Sequence, residues 1–118
     1  MIVELRYPFG FRPKVKFRFD NYSWLKVCEI LGIEFHEMEK LKDVQLIPVW
    51  MYAAYLSERS YRYKKPLYGY THIEKMYRWY YVNDIETLQE MQNAMMTTKI
   101  LGKTMQEWGN AGEKKKQQ

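Results

Sequence analysis

Apolar and charged positions alternate strictly between residues 14 and 19. Val15, Phe17 and Phe19 fall on one face, and Lys14, Lys16 and Arg18 fall on the other. A period of two predicts a half-buried antiparallel strand. The same pattern earlier in the chain, Val3, Leu5 and Tyr7 against Glu4 and Arg6, predicts a first strand. Pro8, Gly10 and Pro13 interrupt the stretch between them, so the two strands form a hairpin with a long loop. A lone hairpin is marginal in water, and helices must cover its apolar face.

Helical spacing takes over at once. Asp20 or Asn21 offers an N-cap oxygen, and Trp24, Leu25, Cys28 and Leu31 make an apolar stripe. Gly32 stands where a left-handed C-cap is required, and Ile33 can fold back onto the helix end. The glutamate-rich stretch 33–41 reads as a short helix or turn. A longer helix is expected to start between Asp43 and Ile47 and to end near Tyr63, with Leu46, Val49, Trp50, Ala53, Leu56 and Ser57 inward. Pro48 suits only its first turn. Ala53 and Ala54 would let a neighbour approach closely at its middle.

Pro66 and Gly69 stop this helix, and Thr71 with Glu74 predicts a capping box for the next. That helix carries Ile73, Met76, Tyr77 and Tyr80 on one face, and Asn83 and Asp84 cap the last one. The last helix is expected from about Ile85 to Trp108, about 36 Å at 1.5 Å per residue. Its stripe is Ile85, Leu88, Met91, Met95, Met96, Ile100, Leu101, Met105 and Trp108. Gly102 weakens it locally by about 1 kcal/mol. The expected architecture is α+β: an N-terminal hairpin packed by about four helices, one domain over 1–108, and a disordered basic tail over 109–118.

Composition narrows the picture. A chain of 118 residues with 47% hydrophobic and 17% aromatic content can build one real core. One cysteine excludes an internal disulfide and fits a reducing compartment. No apolar run approaches the roughly 18 residues of a membrane span, and a signal-peptide core is lacking, so a cytoplasmic protein is expected, in the host cytoplasm if viral. The net charge of +5 permits nucleic-acid binding without requiring it, since Lys103, Lys114, Lys115 and Lys116 cluster at the end of the chain.

Chemical motifs are sparse. His36 lies among Glu34, Glu37 and Glu39, but only Glu39 shares a helical face with it, so no metal site is expected. Cys28 falls on a core stripe, and Ser23, Ser57 and Ser60 lack a nucleophile-elbow context. No phosphate loop or dinucleotide glycine pattern occurs. Neither an enzyme nor a cofactor is expected.

Two stretches mix cations with aromatics. The hairpin interleaves Lys14, Lys16 and Arg18 with aromatic residues, and a second run holds Arg59, Tyr61, Arg62, Lys64 and Lys65. Such surfaces grip single-stranded nucleic acid, while the plainer alternative is a solvated sheet face and a helix end whose cations suit the dipole. The methionines of the last helix make a polarizable stripe of the kind that accepts varied apolar partners. Met91, Met95, Met96, Leu101, Met105 and Trp108 are therefore the expected partner-binding residues, for a client or a second copy.

The stretch VKFRFDNYSWLKVCEILGIEF resembles the opening of phage tail assembly chaperones, with Arg18, Phe19, Asp20, Glu29, Leu31 and Gly32 in the family's places. The helix around Val49 to Leu56, the one from Thr71 to Tyr81 and the last helix resemble the family's later elements. The resemblance implies a non-enzymatic protein that binds the apolar, helical tape-measure protein while the tail is built, and that often self-associates. The family often carries an acidic balance, whereas this chain is basic. The alternatives are a small basic nucleic-acid-binding protein and a structural virion ring protein.

Overall fold

A computed structural model describes residues 2–9, 14–34, 43–100, 102–104 and 106–107. The elements run β1 (Ile2–Arg6), β2 (Lys14–Arg18), α1 (Asn21–Leu31), α2 (Asp43–Tyr61), α3 (Tyr70–Asn83), α4 (Ile85–Thr97), β3 (Lys99–Ile100) and β4 (Lys103–Thr104). Among the described residues the fold is α+β, an N-terminal hairpin followed by four helices, with a second, very short hairpin after them. The expected short helix or turn over 33–41, with His36, Glu37 and Glu39, falls mostly outside the described residues. So does the tail 109–118.

β1 and β2 pair antiparallel, with Leu5 opposite Val15 and Val3 opposite Phe17. The alternation does what period two requires: Leu5, Tyr7, Val15, Phe17 and Phe19 are buried, while Glu4, Arg6, Lys14 and Lys16 face water. α2 is the hub of the core and packs on β2, α1 and α3. Ala53 and Ala54 at its middle are fully buried, and their small side chains permit that close approach. Phe19 and Trp24 both meet Trp50 edge to face, with ring centroids at 5.5 and 5.4 Å. Tyr80 of α3 donates its hydroxyl to the Arg6 carbonyl at 2.6 Å and ties α3 to the hairpin.

Caps fix the element ends. Asp20 caps α1: its carboxylate accepts from the Ser23 amide at 2.9 Å, and Ser23 Oγ accepts from the Asp20 amide at 3.0 Å. Gly32 takes the left-handed C-cap (φ 65°), and the Ile33 amide returns to the Cys28 carbonyl. Asp84 caps α4 and accepts from both the amide and the hydroxyl of Thr87.

Four expectations need correction. The inward face of α1 is Ser23, Trp24 and Val27, whereas Leu25 is 55% exposed. The polar Ser23 goes inside because its hydroxyl is fully engaged there. Pro48 lies past the first turn of α2, since the helix already begins at Asp43. The expected Thr71–Glu74 box does not cap α3. Gly69 is the N-cap, and its amide donates to His72 Nδ1 at 3.3 Å.

The last helix is the largest correction, because it stops at Thr97 instead of running to Trp108. Thr98 turns to an extended backbone, and its hydroxyl donates to the Ala94 carbonyl at 2.8 Å. Gly102 then adopts φ +85°, and Lys99–Ile100 pairs with Lys103–Thr104 around it. The turn puts Ile100, which is fully buried, into the core where β3 touches α1. β-Branched residues favour this extended path, and a positive φ favours glycine.

Candidate functional site

The methionine stripe divides. Met91 and Met95 are buried in the chain's own core, so they are not open to a partner. Met96 is exposed. Leu101, Met105 and Trp108 lie outside the described residues.

Among the described residues, an open apolar groove sits on α3 instead. Tyr77, Tyr81 and Val82 line a groove of about 490 Å³ with Pro48 of α2. Val82 is 80% exposed, and Trp79 and Ile85, close to it in the chain, are exposed as well. Glu74 and Arg78 edge the groove and neutralise each other at 3.1 Å. The periodicity of α3 showed its buried face. The groove gives no such signal, because it needs the α2–α3 crossing to exist.

The two cation–aromatic stretches, far apart in sequence, meet in space. Lys14 and Lys16 of β2 and Arg59, Arg62 and Lys64 at the end of α2 line one cleft of about 260 Å³. Val15, Tyr55, Leu67 and Tyr68 supply its apolar lining. Glu58 is the one carboxylate in that lining, and its side chain is only 5% exposed. One of its oxygens accepts from Arg18 Nε at 2.9 Å and the other from Arg62 Nε at 3.0 Å. Such bidentate use of a carboxylate by two guanidinium groups satisfies a buried charge. The Arg18 guanidinium also lies 3.7 Å from the Tyr61 ring centroid.

The turn after α2 is held rigidly. Arg59 donates twice to the Lys65 carbonyl, at 2.9 and 2.6 Å. The Tyr55 hydroxyl accepts from the amides of Leu67 and Tyr68 at 2.6 and 3.2 Å. Tyr68 stacks on Tyr7 at 4.8 Å, which ties the turn back to the hairpin. Tyr63 sits in the left-handed region (φ 55°) and is 99% exposed. Lys14, Lys16, Lys64 and Lys65 have no acidic partner among the described residues.

Burial pushes the Cys28 thiol up, which is the reverse of activation. Among the described residues no group of three His, Cys, Asp or Glu side chains is placed to hold a metal ion. Among them, too, no helix is long and apolar enough to cross a membrane. Comparison with protein-family models, with curated proteins and with solved structures yields no match to this chain.

Proposed function

We propose that this chain is a non-enzymatic assembly chaperone of the phage-tail type, and that it receives an apolar helix of a tape-measure-like client in the α2–α3 groove. The carrying observation is that groove, lined by Pro48, Tyr77, Tyr81 and Val82, which stays open on a surface where most apolar side chains are spent internally. A helix laid into an apolar groove buries a stripe of anchors, and at about 25 cal/mol per Å² modest contact areas give a reversible complex. Reversibility is what a carrier needs and a permanent ring protein does not. The resemblance over Arg18 to Gly32 supports the same reading. Met91 and Met95 serve the fold in it, and Met96 lies outside the groove lining.

The test is co-expression with an apolar, helical tape-measure protein, reading the client in the soluble fraction. The wild type keeps the client soluble, and Val82→Asp with Tyr81→Asp releases it to the pellet. Equal solubility with and without the chain, or with the double variant, overturns the reading. A second arm looks for the chain in finished particles, where a chaperone is absent and a ring protein present.

A further inference from the structure

We infer that the cleft between β2 and the end of α2 binds single-stranded nucleic acid, through phosphate contacts from Lys14, Lys16 and Lys64 and base stacking on Tyr63. This surface is separate from the α2–α3 groove, so the inference does not rest on the chaperone reading.

Charge is the first support. Five cations line the cleft against one carboxylate, and that carboxylate is already neutralised by Arg18 and Arg62. The lysines are left without acidic partners among the described residues, so their field points at whatever enters. Such a cleft favours an anion that carries several charges along one path.

The second support discriminates between anions. Arg18 and Arg62 each give an Nε–H to Glu58 and Arg59 engages the Lys65 carbonyl, so the lysines are the cations left to meet a backbone of phosphates. Tyr63, flanked by Arg62 and Lys64, holds a bulky side chain fully in water and in a backbone region that disfavours such residues. The chain fixes that conformation through the Tyr63 amide on the Ser60 carbonyl and the Lys64 amide on the Arg59 carbonyl. An exposed ring on a backbone fixed in this way, next in the chain to Lys64, offers a stacking platform for an unpaired base. A duplex keeps its bases stacked within itself and has no use for the ring.

Fluorescence anisotropy with a labelled oligo(dT) of about 15 nucleotides tests this. Binding is expected to weaken as salt rises from about 50 to 200 mM, with a log–log slope magnitude near 0.7 per phosphate contact. Lys14→Gln with Lys64→Gln should lower affinity about tenfold and reduce that slope by about 1.4. Tyr63→Ala should cost about fivefold or more with the slope unchanged. Lys75→Gln with Lys99→Gln removes the same charge from exposed positions outside the cleft and should stay within about twofold. Circular dichroism confirms that each variant is folded. Equal losses in the two double variants, binding without salt dependence, or equal affinity for poly-glutamate would each overturn the inference. Client solubility should be untouched by Lys14→Gln with Lys64→Gln, so the two functional readings fail separately.

Discussion

The indole Nε1–H of Trp50 donates to Ser23 Oγ at 3.0 Å inside the core, across 27 positions of sequence. The same hydroxyl accepts the Asp20 amide and donates to the Asp20 carbonyl at 2.7 Å. A serine hydroxyl has one proton and two lone pairs, and all are used. Ser23→Ala would strand two N–H groups and is expected to cost about 2–3 kcal/mol. Urea unfolding measures it, and a loss below about 0.5 kcal/mol would show the network to be dispensable.

Glu58 is expected to be as sensitive. In Glu58→Gln one oxygen remains for two guanidinium groups, and an amide donor faces one of them. Arg18 and Glu58 are mostly shielded from water, so the expected loss is about 2 kcal/mol. Arg18→Lys keeps the charge but not the contact over Tyr61, for about 1 kcal/mol. Thermal unfolding of both variants ranks them, and the order reversed would count against the carboxylate as the centre of this cluster.

Thr98 and Ile100, just beyond Thr97, belong to the core and not to a free helix. Ile100→Ala is expected to destabilise by about 2–4 kcal/mol, whereas Met96→Ala stays within about 0.5 kcal/mol. A chain ending at Thr97 should therefore unfold at lower denaturant. Gly102→Ala costs about 1 kcal/mol through its positive φ alone, because a Cβ there meets no neighbouring atom. A helix running on to Trp108 would instead gain from that alanine.

Alkaline pH should loosen the fold. Burial raises the pKa of Tyr80 and of Tyr70, to which Glu74 adds through its hydrogen bond and charge. Both tyrosines hold their proton more tightly folded than unfolded. Their contribution is complete below the unfolded pKa of about 10, and declines as pH rises through the higher folded value. Tyr80→Phe loses the hydrogen bond to Arg6 at neutral pH, and its melting temperature should fall less steeply above pH 10.

Cys28 should alkylate slowly. Desolvation is the main cause of its raised pKa, and the Glu34 charge adds to it. Iodoacetamide at pH about 8 should react faster in urea than in buffer, because the thiolate fraction then returns to that of a free thiol. Equal rates would mean that the thiol is not shielded.

Much of the fold is legible in local pattern. The hairpin alternation, Asp20, Gly32, Asp84 and the inward face of α3 all follow from periods and caps that act within a few residues. Ser23 in place of Leu25 does not, because the partner that makes a buried hydroxyl acceptable is Trp50, in another helix. The end of α4 was present as Thr97, Thr98 and Gly102, but methionines at helical spacing carry the same periodicity whether the helix continues or not. The lysines and arginines of the cleft were each visible as cations. Their meeting depends on how β2 crosses α2, which no local window contains.

Asp20 sits at the junction of strand and helix. Its carboxylate caps α1 and also accepts the Ser57 hydroxyl of α2 at 3.0 Å. Fraying the first turn of α1 therefore releases α2 as well, and Trp50 loses its partner in the same event. The N-terminal hairpin, α1 and α2 should open as one cooperative unit, with amides that exchange with solvent at a single shared free energy. α3 reaches that unit through α2 and Tyr80, and α4 packs on α3, so their amides are free to exchange by smaller, earlier openings. The molecule then has a slow-exchanging half that carries the basic cleft and a faster one, α3, that supplies most of the apolar groove.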